Sequence, residues 1–163
     1  MIAGGPRMEY EFEQILPARG DPDHDDPIIE AMELRDRGDT AAAIELLGGL
    51  LERDARCLDA YVHLGLLAFN AGDTQLALGH YATGVQIAER SLPEPFNGAL
   101  RWGWIDNRPF LRCLHGLALS AWRLDEHDSA ETLCWALLWL SPADNQGVSG
   151  ILPEITAGAR WPE

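Results

Sequence analysis

The strongest constraint on this chain is a spacing. "RGDTAAAIELL", beginning at Arg37, and "AGDTQLALGHY", beginning at Ala71, share Gly-Asp-Thr, two variable residues and then Ala. Gly38 and Gly72, Ala43 and Ala77, and Ala31 and Gly65 are each 34 positions apart. A fixed period of this length marks one supersecondary unit that is copied and stacked, because a single copy cannot bury its own apolar face. A third copy lies in "LHGLALSAWRLDEHDSAETLCWALLWLSP", where Ala118 answers Gly65 and Ala130 answers Ala77. Both of those offsets are 53, so 19 residues interrupt the register between the second and third copies. They fall in "LPEPFNGALRWGWIDNRPF", Leu92 to Phe110, a stretch rich in proline and tryptophan.

The apolar spacing and the breakers predict helices at about 27–37, 41–53, 57–70, 74–90, 109–124 and 129–140. Gly38 and Gly72 end helices, Thr40 and Thr74 are candidate N-caps, and Pro142 stops the last repeat helix. A capping helix is expected at about 144–152, with Asp144 near its start and Pro153 breaking it. Residues 1–26 form an arm and an acidic, proline-bounded linker, and the aromatic "MEYEFEQIL" could lie extended against the rest. The domain then spans 27–156, with repeats at about 27–56, 57–90 and 108–142, an insertion at about 89–107 and a tail at 157–163.

The second copy, with Tyr61, Leu64, Gly65, Ala77 and Tyr81, closely resembles a tetratricopeptide repeat, whose period is the same 34 residues. The third carries Leu117, Ala118, Ala130, Cys134 and Pro142 at the matching places, and the first is weaker, with Pro27 and Glu30 where an aromatic and a leucine belong. The resemblance implies an all-α array of antiparallel helix hairpins, about three units long. It also implies that the first helix of each pair lines a groove for partner peptides. Carried onto this sequence, the groove positions are Asp59, Val62, Leu66 and Phe69, then Arg112, His115, Leu119 and Trp122. The lysine and asparagine with which chaperone-binding members hold a C-terminal carboxylate are replaced by Ile28 and Met32, which disfavours that use. The C-terminal half, "DNRPFLRCLHGLALSAWRL" followed by "LLWLSPADNQGV", is similar to a group that includes the suppression-of-tumorigenicity family and uncharacterised bacterial tetratricopeptide proteins. That similarity implies no defined activity.

Charge narrows the choice of partner. At a formal net charge of -14 the chain repels phosphate backbones, so a nucleic-acid binder is not expected. All 12 basic residues are arginines, and Arg101, Arg108, Arg112 and Arg123 gather in the interrupted third of the chain. Arginine beside tryptophan suits an acidic or aromatic peptide, through bidentate carboxylate bonds and stacking. The competing reading is that Arg108 and Arg112 serve the protein's own carboxylates and helix ends. Arg101 and Trp104 of the insertion either wall the groove or only plug the gap between repeats.

Other chemistry finds little support. The run Asp21, Asp23, His24, Asp25, Asp26 lacks the glycine and glutamate of a calcium loop and reads as a solvated linker, with Asp25 or Asp26 capping the first helix. The five histidines show no zinc spacing, and Cys113 and His115, two apart on a helix, point in different directions. Cys57, Cys113 and Cys134 sit among apolar neighbours, as reduced buried thiols do. "MIAGGPRMEYEFEQIL" lacks the apolar core of a secretion signal and no run approaches a membrane span, so a soluble, cytoplasmic protein is expected. Trp135 and Trp139 are expected to receive the capping helix through Val148, Ile151, Leu152 and Ile155.

The expected protein is therefore a non-enzymatic adaptor with no cofactor or metal. It would bind a protein or peptide, acidic or aromatic, through Val62, Leu66, Phe69, Arg108, Arg112, His115, Leu119 and Trp122. The alternative is a self-assembling protein, such as a homodimer, whose N-terminal arm fills its own or a neighbouring groove.

Overall fold

The structure, a computed structural model, describes residues 7–13, 15 and 26–162. Asp21, Asp23, His24 and Asp25 of the acidic run lie outside them. The described chain is all-helical but for two short strands. Helices α1 (Pro27–Asp36) and α2 (Thr40–Arg53) form one pair, and α3 (Leu58–Asn70) and α4 (Thr74–Glu89) a second. The third pair is α5 (Arg108–Arg123) and α6 (His127–Leu140), and α7 (Val148–Thr156) closes the series. Strands β1 (Glu9–Tyr10) and β2 (Ala99–Leu100) pair in parallel, Glu9 opposite Ala99. No helix among the described residues is long and apolar enough to cross a membrane.

Local chemistry explains the boundaries. Asp26 caps α1, its Oδ1 accepting from the Ile28 amide at 2.9 Å. Asp39 and Asp73, rather than Thr40 and Thr74, cap α2 and α4, accepting from Ala42 and Leu76 at 3.2 and 3.1 Å. A carboxylate is the better acceptor for free amides at the positive end of a helix, so the threonines become the first helical residues. Gly38, Gly72 and Asp125 end the first helix of each pair with φ of 86°, 83° and 61°. Asp125 stands 53 positions after Gly72, so the third pair makes its turn without glycine, at a cost of about 1 kcal/mol. The last helix starts later than its spacing predicts. Asp144 lies four residues upstream of α7 and caps it through Gly147 in the left-handed conformation, accepting from Val148 and Ser149 at 2.7 and 3.0 Å. Pro153 sits inside α7 instead of ending it.

The core is one file of side chains in two clusters that meet at α3. Ala60, Leu64 and Leu67 face the first pair, with Ile28, Ala31, Ala43, Leu47 and Leu50. Tyr61, Val62 and Ala68 face the cluster that runs on through α4, α5, α6 and α7. The decisive joint is Tyr81 on α4. Its ring lies between Gly65 of α3 and Gly116 of α5, and a Cβ at either glycine would lie under 3.0 Å from it. One aromatic ring therefore sets how closely three helices approach.

The insertion does not hang free. Leu100 is fully buried, and Phe96 and Trp102 pack against the core, while Ile105 is 64% exposed. Asn107, also fully buried, closes the insertion. Its Oδ1 accepts from the Phe12 amide at 2.9 Å, and its Nδ2 donates to the Tyr10 and Arg101 carbonyls at 2.9 and 3.1 Å. The arm thus lies extended along the insertion, with Phe12 buried against Phe110, Tyr10 donating to the Ser91 carbonyl at 3.0 Å, and Glu9 paired with Arg101.

Trp135 and Trp139 do not receive α7: they are 56% and 58% exposed. The buried stripe of α6 is Ala130, Cys134 and Leu137, which meets Val148, Leu152 and Ile155 of α7 in the same cluster. Trp135 follows Cys134 directly, a turn of about 100° that carries it off the inner face. Trp139 instead carries the Arg7 guanidinium, 4.3 Å from its ring.

Gly116→Ala is expected to lower stability by about 1–3 kcal/mol, because the ring wedged above it cannot retreat. A fall in the urea midpoint at an unchanged helical signal checks this.

Candidate functional site

Two rows of side chains define the face on which the expected groove residues lie. On α3 they are Asp59, Val62, Leu66 and Phe69, and on α5 Arg112, His115, Leu119 and Trp122. Spacings of three, four and three keep each row on one helix face. The rows are joined at their far end, where Trp161 bridges Phe69 and Trp122, and at the start of the helices Arg112 acts on Asp59 electrostatically without an ion pair. Helices α3 and α5 therefore run parallel and in register across the interruption, which is where the shared offset of 53 puts them.

The starting end is polar and only partly neutralised. Burial pushes the Asp59 carboxyl up from 3.8 to about 6; Arg112 opposes the rise, while Asp26 and Asp106 add to it. Burial, reinforced by Arg35 and Arg112, pulls His63 down from 6.5 to about 4, with Asp26 opposing. Neither side chain has a hydrogen-bond partner among the described residues, so both keep unused polar capacity. Arg112 is exposed. Its guanidinium lies 5.5 Å from the Trp102 ring, with no carboxylate in ion-pair range among the described residues.

The rest of the expected set separates by environment. Arg108 is held by the insertion: its Nε donates to the Trp102 carbonyl at 2.9 Å and its guanidinium lies 5.4 Å from that ring. Its anchoring partners belong to the protein itself. Leu66 and Leu119 are half-buried in mid-face, and Val62 is buried. His115 is half-buried and its ring is pushed below the usual range by burial, with Asp144 opposing. Arg101 pairs with Glu9 of the arm and lies 5.9 Å from the Trp104 ring.

Trp122 is not an open anchor. It is 2% exposed, because the chain's own tail folds back over it. The Trp161 ring meets Trp122 edge-on at 5.0 Å and Phe69 edge-on at 5.4 Å. Trp122 Nε1 donates to the Ala159 carbonyl at 2.7 Å, and His127 Nε2 lies 2.9 Å from the same oxygen. Arg123 floors this end, donating to the Phe69 carbonyl at 2.8 Å and lying 4.7 Å from its ring. Sequence reasoning missed Trp161 and His127. The available signal was a tryptophan in an otherwise polar tail, just past a glycine that ends a helix.

No protein-family model matches the sequence, and a search of curated proteins finds no match.

Asp59 and His63 give opposite pH slopes. The folded carboxyl keeps its proton to about 6 while the unfolded one loses it near 3.8, so its contribution to stability falls as pH rises through that window. The folded imidazole resists protonation to about 4 against 6.5 unfolded, so its contribution falls as pH drops through that window. Relative to the unmodified chain, Asp59→Asn should gain stability from pH 4 to 7 and His63→Gln from pH 7 to 4. Each gain is on the order of 1 kcal/mol after allowing for solvent screening. Denaturation midpoints across that range give the check; parallel curves for all three proteins would contradict it.

Proposed function

We propose that this chain is a helical adaptor of the tetratricopeptide type and that the face shared by α3 and α5 binds an extended protein segment. The observation that carries the reading is the pairing of polar groups that have no hydrogen-bond partner among the described residues with half-buried apolar ones along two aligned helices. Asp59, His63 and Arg112 offer hydrogen bonds and charge at one end, Leu66 and Leu119 offer apolar contact in the middle, and an aromatic cluster closes the other end. Such a face fits a peptide with an acidic residue for Arg112 and apolar or aromatic residues beyond it. The adaptor reading involves no catalysis, cofactor or nucleic acid.

Arg112 is the residue to test, since it is exposed and its loss leaves no cavity, whereas Trp122→Ala would cost about 3–5 kcal/mol from the core. Arg112→Glu should weaken capture of acidic-aromatic peptides on a peptide array at least tenfold while leaving the melting curve unchanged. Undiminished capture by the folded variant sinks the assignment.

A second reading, self-assembly by exchange of the N-terminal arm, draws on the arm's mode of attachment. Parallel strand pairing, the Asn107 hydrogen bonds and the Glu9–Arg101 pair tie two segments far apart in sequence, and a neighbouring chain's arm can supply the same groups. Light scattering of the intact protein decides it: a dimer whose mass falls to that of a monomer in Asn107→Ala supports exchange, and a monomer at tens of micromolar eliminates it.

A further inference from the structure

The far end of the same face is a built aromatic slot, and its present occupant is a short piece of tail. The slot stands without that piece. Trp122 is packed into the core of α5, and Phe69 is fixed by Arg123, which bonds its carbonyl and lies over its ring. Helix α7 does not need the tail either, since Val148, Leu152 and Ile155 bury it and it ends at Thr156. Gly158, at φ 70°, turns the chain out of α7, where the Ala159 amide donates back to the Glu154 carbonyl at 2.9 Å, and two features hold the tail against the slot. One is the Ala159 carbonyl, which faces Trp122 Nε1 and His127 Nε2. The other is the Trp161 ring, half-buried between two aromatics, whereas Arg160 and Pro162 are exposed.

Removing the tail would take the partner from the Trp122 indole donor and the His127 ring nitrogen and uncover two aromatic rings, in a slot already shaped for them. Polar groups of this kind are costly to leave unpartnered and specific in what they pair with. Edge-to-face aromatic packing adds a preference for a ring over an aliphatic chain. We propose that this slot is a docking site for an extended protein segment bearing an aromatic ring two residues after a free backbone carbonyl, and that Ala159–Trp161 occupies it as a built-in competitor. This rests on the reading of the α3–α5 face as a peptide-binding surface and says what one end of that surface selects. Tethered in place, the tail acts at an effective concentration in the millimolar range, so an outside segment binds only by outcompeting it.

The test uses the chain of residues 1–163 and a fluorescent peptide of sequence TAGARWPE, residues 156–163. Trp161→Ala should bind the peptide at least tenfold more tightly than the unmodified chain, and a peptide with alanine in place of tryptophan should bind neither. Equal binding by the two proteins, or tryptophan-independent binding, overturns the proposal, provided Trp161→Ala melts cooperatively. Hydrogen exchange supplies a measurement on the unmodified chain. Saturating peptide should speed exchange at 157–162, and unchanged protection overturns the proposal without reference to any variant. Failure here with Arg112-dependent capture intact removes only the aromatic slot; loss of Arg112 dependence with tail-peptide binding intact removes only the polar end.

Discussion

Everything from the second helix pair onward depends on one ring. Tyr81 reaches from α4 into the seam between α3 and α5 and rests on a glycine of each. The repeat register is broken by 19 residues just after α4, and a chain so interrupted could dock its next hairpin at several angles. The ring removes that freedom, because only backbones bare of Cβ can close on both its faces. Once α5 is seated there, its outward row must align with that of α3. The polar and aromatic ends of the face follow from this contact as much as from the residues that line them.

Arginine use follows the same economy. With 26 acidic residues against 12 arginines, every guanidinium has carboxylates to choose from. Yet Arg7, Arg108, Arg112 and Arg123 lie over tryptophan or phenylalanine rings. Among the described residues, three of the pairs in which the cation reaches a carboxylate directly, Arg35–Asp36, Arg37–Glu33 and Arg56–Asp54, are local and lie at the surface, where such pairs contribute little, while Arg101–Glu9 fastens the arm. The flat, weakly hydrated guanidinium is suited to aromatic faces, and here it joins the insertion, the arm and the tail to the helices.

The sequence made some of this legible and hid the rest for physical reasons. Period and offset located the six helices of the three pairs, because Gly38, Gly72 and the small residues at 43, 65, 77, 118 and 130 answer to backbone approach. The caps were misplaced by one residue because threonine and aspartate compete for the same role and the stronger acceptor wins. Trp135 and Trp139 were assigned inward on their i, i+4 spacing, although Ala130 and Cys134, aligned with Ala77 and Tyr81, already identified the inner face. That Trp122 would be covered by Trp161 lay beyond any periodicity, since the contact joins two points related only by the folded path of α7. The role of Asn107 was similarly hidden, because nothing in its local sequence shows that its side-chain amide binds the distant arm.

That amide also orders events in time. The arm's partners lie 95 and 97 residues further along the chain, at Asn107. During synthesis the first two helix pairs can therefore pack on one another while the arm still has nothing to pair with. Long-range pairings of this kind close late, after local helix contacts have formed. The arm is made before the helices and fastened after them, so its docking reports that the insertion and the third pair have arrived in their proper places.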